Sequence, residues 1–96
     1  MSDITQMTSA ELVEKRKDAK TVIDARDSVS VPVFNKAIDN YLGIGHELDR
    51  RCTDAGIFSN GDGTFKSEPR FNMTVKEANE WLALSQYMVS KIKNER

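Results

Sequence analysis

Three stretches of the chain place apolar residues at helical spacing, and turn-forming residues separate them. The first stretch follows Thr8-Ser9-Ala10-Glu11, which has the spacing of a capping box. It predicts a helix 1 that runs from about Ser9 to about Arg26. The apolar residues of this segment form a narrow stripe among many charges, so we expect a peripheral helix that is anchored mainly by its C-terminal half.

The second stretch predicts the longest helix, from about Val31 to Ala55. Ser30 is placed to cap it, Pro32 suits its first turn, and Gly56 suits the position just beyond its end. Spacings of three and four give one continuous apolar face. That face consists of Phe34, Ala37, Ile38, Tyr41, Leu42, Ile44, Leu48 and Cys52.

A β-hairpin is predicted over residues 57–66, after helix 2. Asn60-Gly61 and Asp62-Gly63 supply the residues that hairpin turns require, and β-forming residues flank them on both sides. A lone two-stranded hairpin is marginal in water. We therefore expect this hairpin to rest on a helix or on another subunit.

Helix 3 is predicted from about Val75 to about Asn94, after a second capping box at Thr74–Glu77. Its apolar residues fall on two faces. Leu84 and Tyr87 lie on the narrower face, which we expect to remain at the surface. The wider face, which we expect to pack on helix 2, carries Ala78, Trp81, Leu82, Ser85, Met88, Val89 and Ile92.

Together these elements predict a mainly α fold in a single helical domain over residues 1–96. Helices 2 and 3 form a long antiparallel pair, helix 1 is the additional N-terminal helix, and the short β-hairpin projects as a tongue between helices 2 and 3. Residues 1–7 are predicted to be a loose tail.

Composition excludes several classes of protein. The 96 residues are 39 % hydrophobic and 30 % charged, with a formal net charge of −1, which disfavours a strongly basic nucleic-acid-binding domain. No run approaches the ~18 apolar residues of a membrane span, and the N-terminus lacks the apolar segment of a signal peptide. We expect a cytoplasmic protein that does not contact membranes.

No catalytic, cofactor or metal site is predicted. A single histidine and a single cysteine cannot form a His/Cys-rich zinc site in one chain. His46 has Glu47 and Asp49 as neighbours but no serine or cysteine at a suitable helical spacing. We interpret this group as a solvated helix face and the protein as non-enzymatic.

The first functional hypothesis is a small protein-binding module that docks on and modulates a larger protein partner. Its basis is a lean core with apolar surface left over, a combination that marks protein contacts and also favours a homo-oligomer. The predicted contact residues are Tyr41, Ile44, Leu84 and Tyr87, with Phe58 and Phe65 of the hairpin as a second site.

The alternative hypothesis is nucleic-acid binding by an oligomeric subunit. An oligomer would align several weak basic patches that one copy keeps apart. The candidate residues are Lys15, Arg16, Lys17, Lys20, Arg50, Arg51, Lys66 and Arg70.

A family resemblance bears on both hypotheses. The matching elements are FNKAIDNYLGIGHELDRRCTDAG, then IFSNGDGTFKSEPRF, then the helix from Thr74. This layout of residues 33–94 resembles the C-terminal half of one family of phage small terminase subunits. The resemblance implies a phage or mobile-element origin, ring formation, and recruitment of viral DNA to a packaging motor. It assigns no functional residue.

Overall fold

A computed structural model of the chain describes residues 4–68 and 70–94, and it is mainly helical with one short hairpin. This confirms the predicted fold class. Two short 3-10 turns, Ile4–Gln6 and Arg26–Ser28, precede and follow the first helix. The regular elements are α1 (Ser9–Asp24), α2 (Val31–Asp54), β1 (Ile57–Ser59), β2 (Phe65–Ser67) and α3 (Val75–Asn94).

The ends of the helices follow local chemistry. At the start of α1, the Thr8 hydroxyl accepts from the Glu11 amide and the Glu11 carboxylate accepts from the Thr8 amide, both at 3.2 Å. Thr74 starts α3 with the same reciprocal arrangement. Ser30 makes no capping bond with its side chain, contrary to expectation. Gly56 ends α2 at φ +77°, a conformation that favours glycine.

The three helices run up, down and up. Arg16 of α1 meets Tyr41 of α2, while Ser9 of α1 meets Arg51, so α1 and α2 are antiparallel. α1 packs more extensively on α2 and on α3 than these two helices pack on each other. The expectation of a peripheral α1 is therefore wrong. Its N-terminal half supplies Leu12, which is completely buried.

The core lies where the start of α1, the second half of α2, β1 and the middle of α3 meet. Leu12, Leu48 and Ile57 are each at most 1 % exposed. Ile4 and Met7 pack against this cluster from the N-terminal segment. The full buried cluster is Leu12, Val13, Ile44, Leu48, Cys52, Ile57, Ala83, Leu84, Tyr87 and Met88.

Helix α3 buries Leu84 and Tyr87, contrary to the prediction, and it divides the wider face, from which Met88 belongs to the core. Leu84 and Tyr87 are 4 % and 2 % exposed, whereas Leu82 and Val89 are 53 % and 41 % exposed. Trp81 is half-buried at the margin of the core. Tyr87 can be buried because its hydroxyl donates a hydrogen bond to the Asp49 carboxylate inside the protein. Burial of the ring therefore leaves no polar group unsatisfied.

The hairpin rests on α2 and α3. Its register pairs Ile57 with Ser67 and Ser59 with Phe65. Ile57 belongs to the core and Phe65 packs against it, while Phe58 and its cross-strand partner Lys66 lie on the opposite face. The hairpin is thus supported by helices, as its short strands require.

The predicted loose tail is wrong for residues 4–7, and residues 1–3 lie outside the described part. Arg51 donates from Nη2 to the carbonyl oxygens of Ile4 (3.3 Å) and Thr5 (3.2 Å). These bonds hold the N-terminal 3-10 turn against α2. Among the described residues, no helix is both long and apolar enough to cross a membrane.

Candidate protein-binding surfaces

Three of the predicted contact residues are core residues. Ile44, Leu84 and Tyr87 are 3 %, 4 % and 2 % exposed, so each offers almost no surface of its own to a partner. Tyr41 is half-buried beside them. The prediction was wrong because the apolar residues of α3 occupy two faces, and the structure buries the one that was assigned to the surface.

Tyr41 and Tyr87 sandwich the guanidinium of Arg16. Its central carbon lies 4.5 Å from the centroid of the Tyr41 ring and 4.9 Å from that of Tyr87. Arg16 also donates to the Tyr41 hydroxyl at 2.8 Å. Rings of this kind attract a cation over their faces. This candidate nucleic-acid contact therefore holds α1, α2 and α3 together.

Asp49 completes the same polar cluster. It accepts from the Tyr87 hydroxyl at 2.6 Å and from the Lys91 ammonium at 3.0 Å. Burial, reinforced by the hydrogen bond to Asp49, raises the pKa of the Tyr87 phenol. The phenol therefore stays protonated and remains a hydrogen-bond donor inside the protein.

Arg50 and Arg51 converge on Glu47, which is only 7 % exposed. Each donates to Glu47 Oε2 at 2.7 Å. These bonds, led by the one from Arg50, hold the pKa of Glu47 below its usual value against the opposing effect of burial. Arg51 also donates to the Ser9 hydroxyl at 3.0 Å. Arg51 thus holds α1 on α2, whereas Arg50 bonds to Glu47 and Asp54 within α2.

The remaining basic candidates are dispersed. Lys17 pairs with Glu14 and Lys20 with Asp24, each within α1. Lys66 is exposed on the hairpin. The structure brings only three of the eight around one site: a shallow depression of about 290 Å³ is lined by Ser9, Arg50, Arg51, Asp54, Ala55, Arg70, Glu80 and Leu84.

An apolar groove lies between α1 and α2. We call it the α1–α2 groove; its volume is about 610 Å³. Ala19 and Ala37, which are both buried, leave room between the two helices because their side chains are short. The apolar lining residues are Ile4, Ala19, Val22, Val33, Ala37 and Ile44, and the polar ones are Lys15, Asp18, Lys36 and Asn40.

Sequence reasoning missed this groove. The available signal was the alternation of alanine with valine along α1 and α2, at Ala19 and Val22 and again at Val33 and Ala37. Small side chains at the contact between two helices create a groove only if no third element fills it, and a sequence does not show that. Ile44, one of the predicted contact residues, does line the groove.

A second apolar surface is the outward face of α3. We call it the outer stripe; it consists of Val75, Ala78, Leu82, Ser85 and Val89, at alternating spacings of three and four, and of these Ala78 and Ser85 are half-buried. Val75 is 79 % exposed and Leu82 53 %. Leu82 and Val89 were predicted to be core, so the expected surplus of apolar surface exists but on the opposite side of α3.

The predicted hairpin site is weaker than either surface. Phe65 turns towards the core, and Phe58, on the other face, is half-buried. More apolar surface lies beyond the hairpin, where Phe71 is 86 % exposed. A cavity of about 420 Å³ opens nearby at the start of α3, with Met73 and Trp81 in its lining.

The cysteine thiol and the histidine imidazole lie in different surroundings. Burial raises the pKa of the Cys52 thiol to about 11, so the thiol is protonated at neutral pH, and it donates weakly to the Leu84 carbonyl at 3.8 Å. His46 is exposed on α2. Within residues 4–68 and 70–94, no three His, Cys, Asp or Glu side chains are grouped to hold a metal ion.

Comparison with protein-family models, with curated proteins and with solved structures finds no match for this chain.

Proposed function

We propose that this protein is a small, non-enzymatic, cytoplasmic module that docks on a larger protein through the α1–α2 groove and modulates it. The observation that carries the proposal is the groove itself, about 610 Å³ in volume, with a mainly apolar floor and a polar rim. Apolar concavities rimmed by polar groups are typical protein-contact sites.

The groove favours an amphipathic helix as the docking segment. It lies between two antiparallel helices, and apolar side chains at helical spacing on a partner would fit along its floor. Lys15 and Lys36 stand on the rim beside a single acidic residue, Asp18. We therefore expect acidic residues on the flanks of the partner's apolar stripe.

Two neighbouring valines of α2 test the assignment. Val33 lines the groove and is 49 % exposed, whereas Val31 does not line it and is 70 % exposed. Both sites tolerate substitution because neither is in the core. Tagged wild type, Val33→Glu and Val31→Glu would each be used to capture proteins from lysate of the native host, with quantification of each captured protein.

We expect Val31→Glu to capture the same partner as the wild type and Val33→Glu to lose it at least ~10-fold, because a carboxylate in an apolar groove is costly to desolvate. Equal capture by both variants would show that the groove is not the docking site. Unchanged circular dichroism in both variants is the necessary control.

The alternative proposal is DNA binding in a terminase-like oligomer. The observation that favours it is the depression where Arg50, Arg51 and Arg70 come together, although Asp54 and Glu80 share it. Binding of a labelled duplex should then fall steeply with salt and weaken in Arg70→Gln. No binding at ~50 mM salt would exclude this alternative, since phosphate contacts are strongest at low ionic strength.

A further inference from the structure

The outer stripe of α3 has the spacing of a helix-pairing seam. Val75, Leu82 and Val89 are seven residues apart, with Ala78 and Ser85 between them at the positions that complete a heptad pattern. A soluble helix normally gives such a face to the core, but here the core takes the opposite face.

This outward face is also free of charge over four turns. By helix geometry, the residues that share it with the stripe between 75 and 89 are Asn79 and Gln86. The charged side chains Lys76, Glu77 and Glu80 fall on other sides of α3. A second, identical face can therefore approach without like-charge repulsion along the stripe.

We propose that the outer stripe is a self-association surface, on which the α3 of a second copy packs in the antiparallel direction. Side-chain size argues for that direction. In the antiparallel register Leu82 meets Ser85 of the second copy, and Val89 meets Ala78, so each layer combines a large residue with a small one. Parallel packing would place Ala78 on Ala78 and Ser85 on Ser85, leaving gaps.

The flanks of the seam fit the same register. Asn79 lies opposite Gln86 of the second copy, and two amides can donate to and accept from each other. From Val75 to Val89 the stripe is about 21 Å long at 1.5 Å per residue. A single helix on each side gives an interface at or below the usual ~1,200–2,000 Å², so we expect weak association with a dissociation constant on the order of micromolar.

The test compares two leucines of nearly equal exposure. Leu82 is 53 % exposed on the stripe, and Leu42 is 54 % exposed on α2, away from it. Sedimentation equilibrium would be run on wild type, Leu82→Glu and Leu42→Glu over ~1–300 μM, a range that brackets the expected affinity. We expect a monomer–dimer equilibrium for wild type and Leu42→Glu, and at least ~30-fold weaker association for Leu82→Glu.

Each other outcome overturns the proposal. A wild type that stays monomeric over the whole range, a Leu82→Glu that dimerises normally, or an equal loss in Leu42→Glu would each do so. Thermal unfolding of both variants shows whether the fold is intact. The groove proposed for a larger partner is a separate surface, so Leu82→Glu should leave capture through Val33 unchanged, and the two proposals can fail independently.

A distance between two spin labels tests whether the two α3 helices pack in the antiparallel direction. A spin label at the exposed position 76 would be about 25 Å from its counterpart in the antiparallel pair, because the two sites are 15 residues apart along the axis. In a parallel pair the two sites would have no axial offset, so the labels would lie closer together than in the antiparallel pair. The shorter distance would overturn the antiparallel register even if a dimer forms.

Discussion

The two ends of the helix bundle differ in what fills them. At the closed end, where α1 begins and α2 finishes, Leu12, Leu48 and Ile57 are completely or almost completely buried. At the open end, where α1 finishes and α2 begins, the buried residues are Ala19 and Ala37. The closed end is filled by large side chains from four elements, and the open end is held by the contact of two helices.

This difference predicts a gradient of local stability. Apolar burial contributes about 25 cal/mol per Å², and an alanine offers little area to bury. Regions with few buried apolar contacts open locally at lower free energy than the core does. The α1–α2 groove lies along the weaker end, so a docked helix would supply the burial that the chain itself lacks there.

Removing a large side chain from the closed end should have the largest effect. Leu48 is completely buried, so Leu48→Ala should lower the free energy of unfolding by about 3 kcal/mol. Val33→Ala is the corresponding truncation at the open end. Because Val33 is 49 % exposed, this substitution should lower the free energy of unfolding by about 0.5 kcal/mol or less. Urea unfolding measures both. Equal losses would show that the two ends do not differ.

Glu47 tests the polar attachment of α1 at the closed end. Glu47→Gln should cost about 2 kcal/mol at pH 7, because two arginines lose a buried charged acceptor. The folded-state pKa of Glu47 is lowered, so its contribution is present above the unfolded pKa of about 4.3 and is lost as pH falls through the folded value. The difference from wild type should therefore shrink as the pH falls below about 4.3 and through the lowered folded-state pKa.

The control for that titration is Glu14→Gln. The side chain of Glu14 is 71 % exposed in its pair with Lys17, and exposed pairs contribute about 0–1 kcal/mol. A Glu47→Gln deficit that stayed constant down to acidic pH would contradict the assigned role of the carboxylate. Unfolding in urea at a series of pH values distinguishes the two results.

Arg16 lies between the two ends, so substituting it shows how far the stable packing of the closed end extends along the bundle. Arg16→Lys keeps the charge but loses the planar group stacked between Tyr41 and Tyr87, so we expect a loss of about 1 kcal/mol. Arg26→Lys, at an exposed site, should change nothing. A tolerated Arg16→Lys would mean that charge alone, and not the stacked plane, holds the three helices at this level.

The smallest expected effect is an increase in the stability of the fold. An added methyl group at Gly43 meets nothing within 4 Å, so Gly43→Ala should raise stability by about 0.5–1 kcal/mol through helix propensity. Gly56→Ala should lower it, because Gly56 has φ +77° and an added Cβ would lie 3.1 Å from a Glu68 oxygen. Hydrogen exchange should show slower opening of α2 towards the open end in Gly43→Ala.

The ends of the elements were predictable because local chemistry sets them. Thr8 and Thr74 form their capping boxes with residues three positions away, and Gly56 ends α2 by its own backbone conformation. The turn glycines of the hairpin likewise act locally: Gly61 has φ +82° and Gly63 φ +89°. None of these features depends on how the helices pack.

Which face of α3 is buried could not be predicted, because contacts with residues far away in the sequence select it. Both faces carry apolar residues at helical spacing. Tyr87 is buried because Asp49, 38 positions away, accepts its hydroxyl, and because Arg16 lies over its ring. The central position of α1 in the fold could not be predicted for the same reason, because Arg51 donates a hydrogen bond to Ser9, which lies 42 positions away.

Because Cys52 is buried, the rate at which a thiol reagent modifies it measures how often the core opens. This thiol is the only one in the sequence, and it sits where α2 faces α3 in the closed end, 1 % exposed and with a raised pKa. A thiol reagent must therefore wait for the core to open before a thiolate forms. The labelling rate at neutral pH reports how often the closed end opens, and a ligand bound at either apolar surface would slow labelling, because it lowers the population of the opened form by a factor of one plus the ratio of the free ligand concentration to Kd.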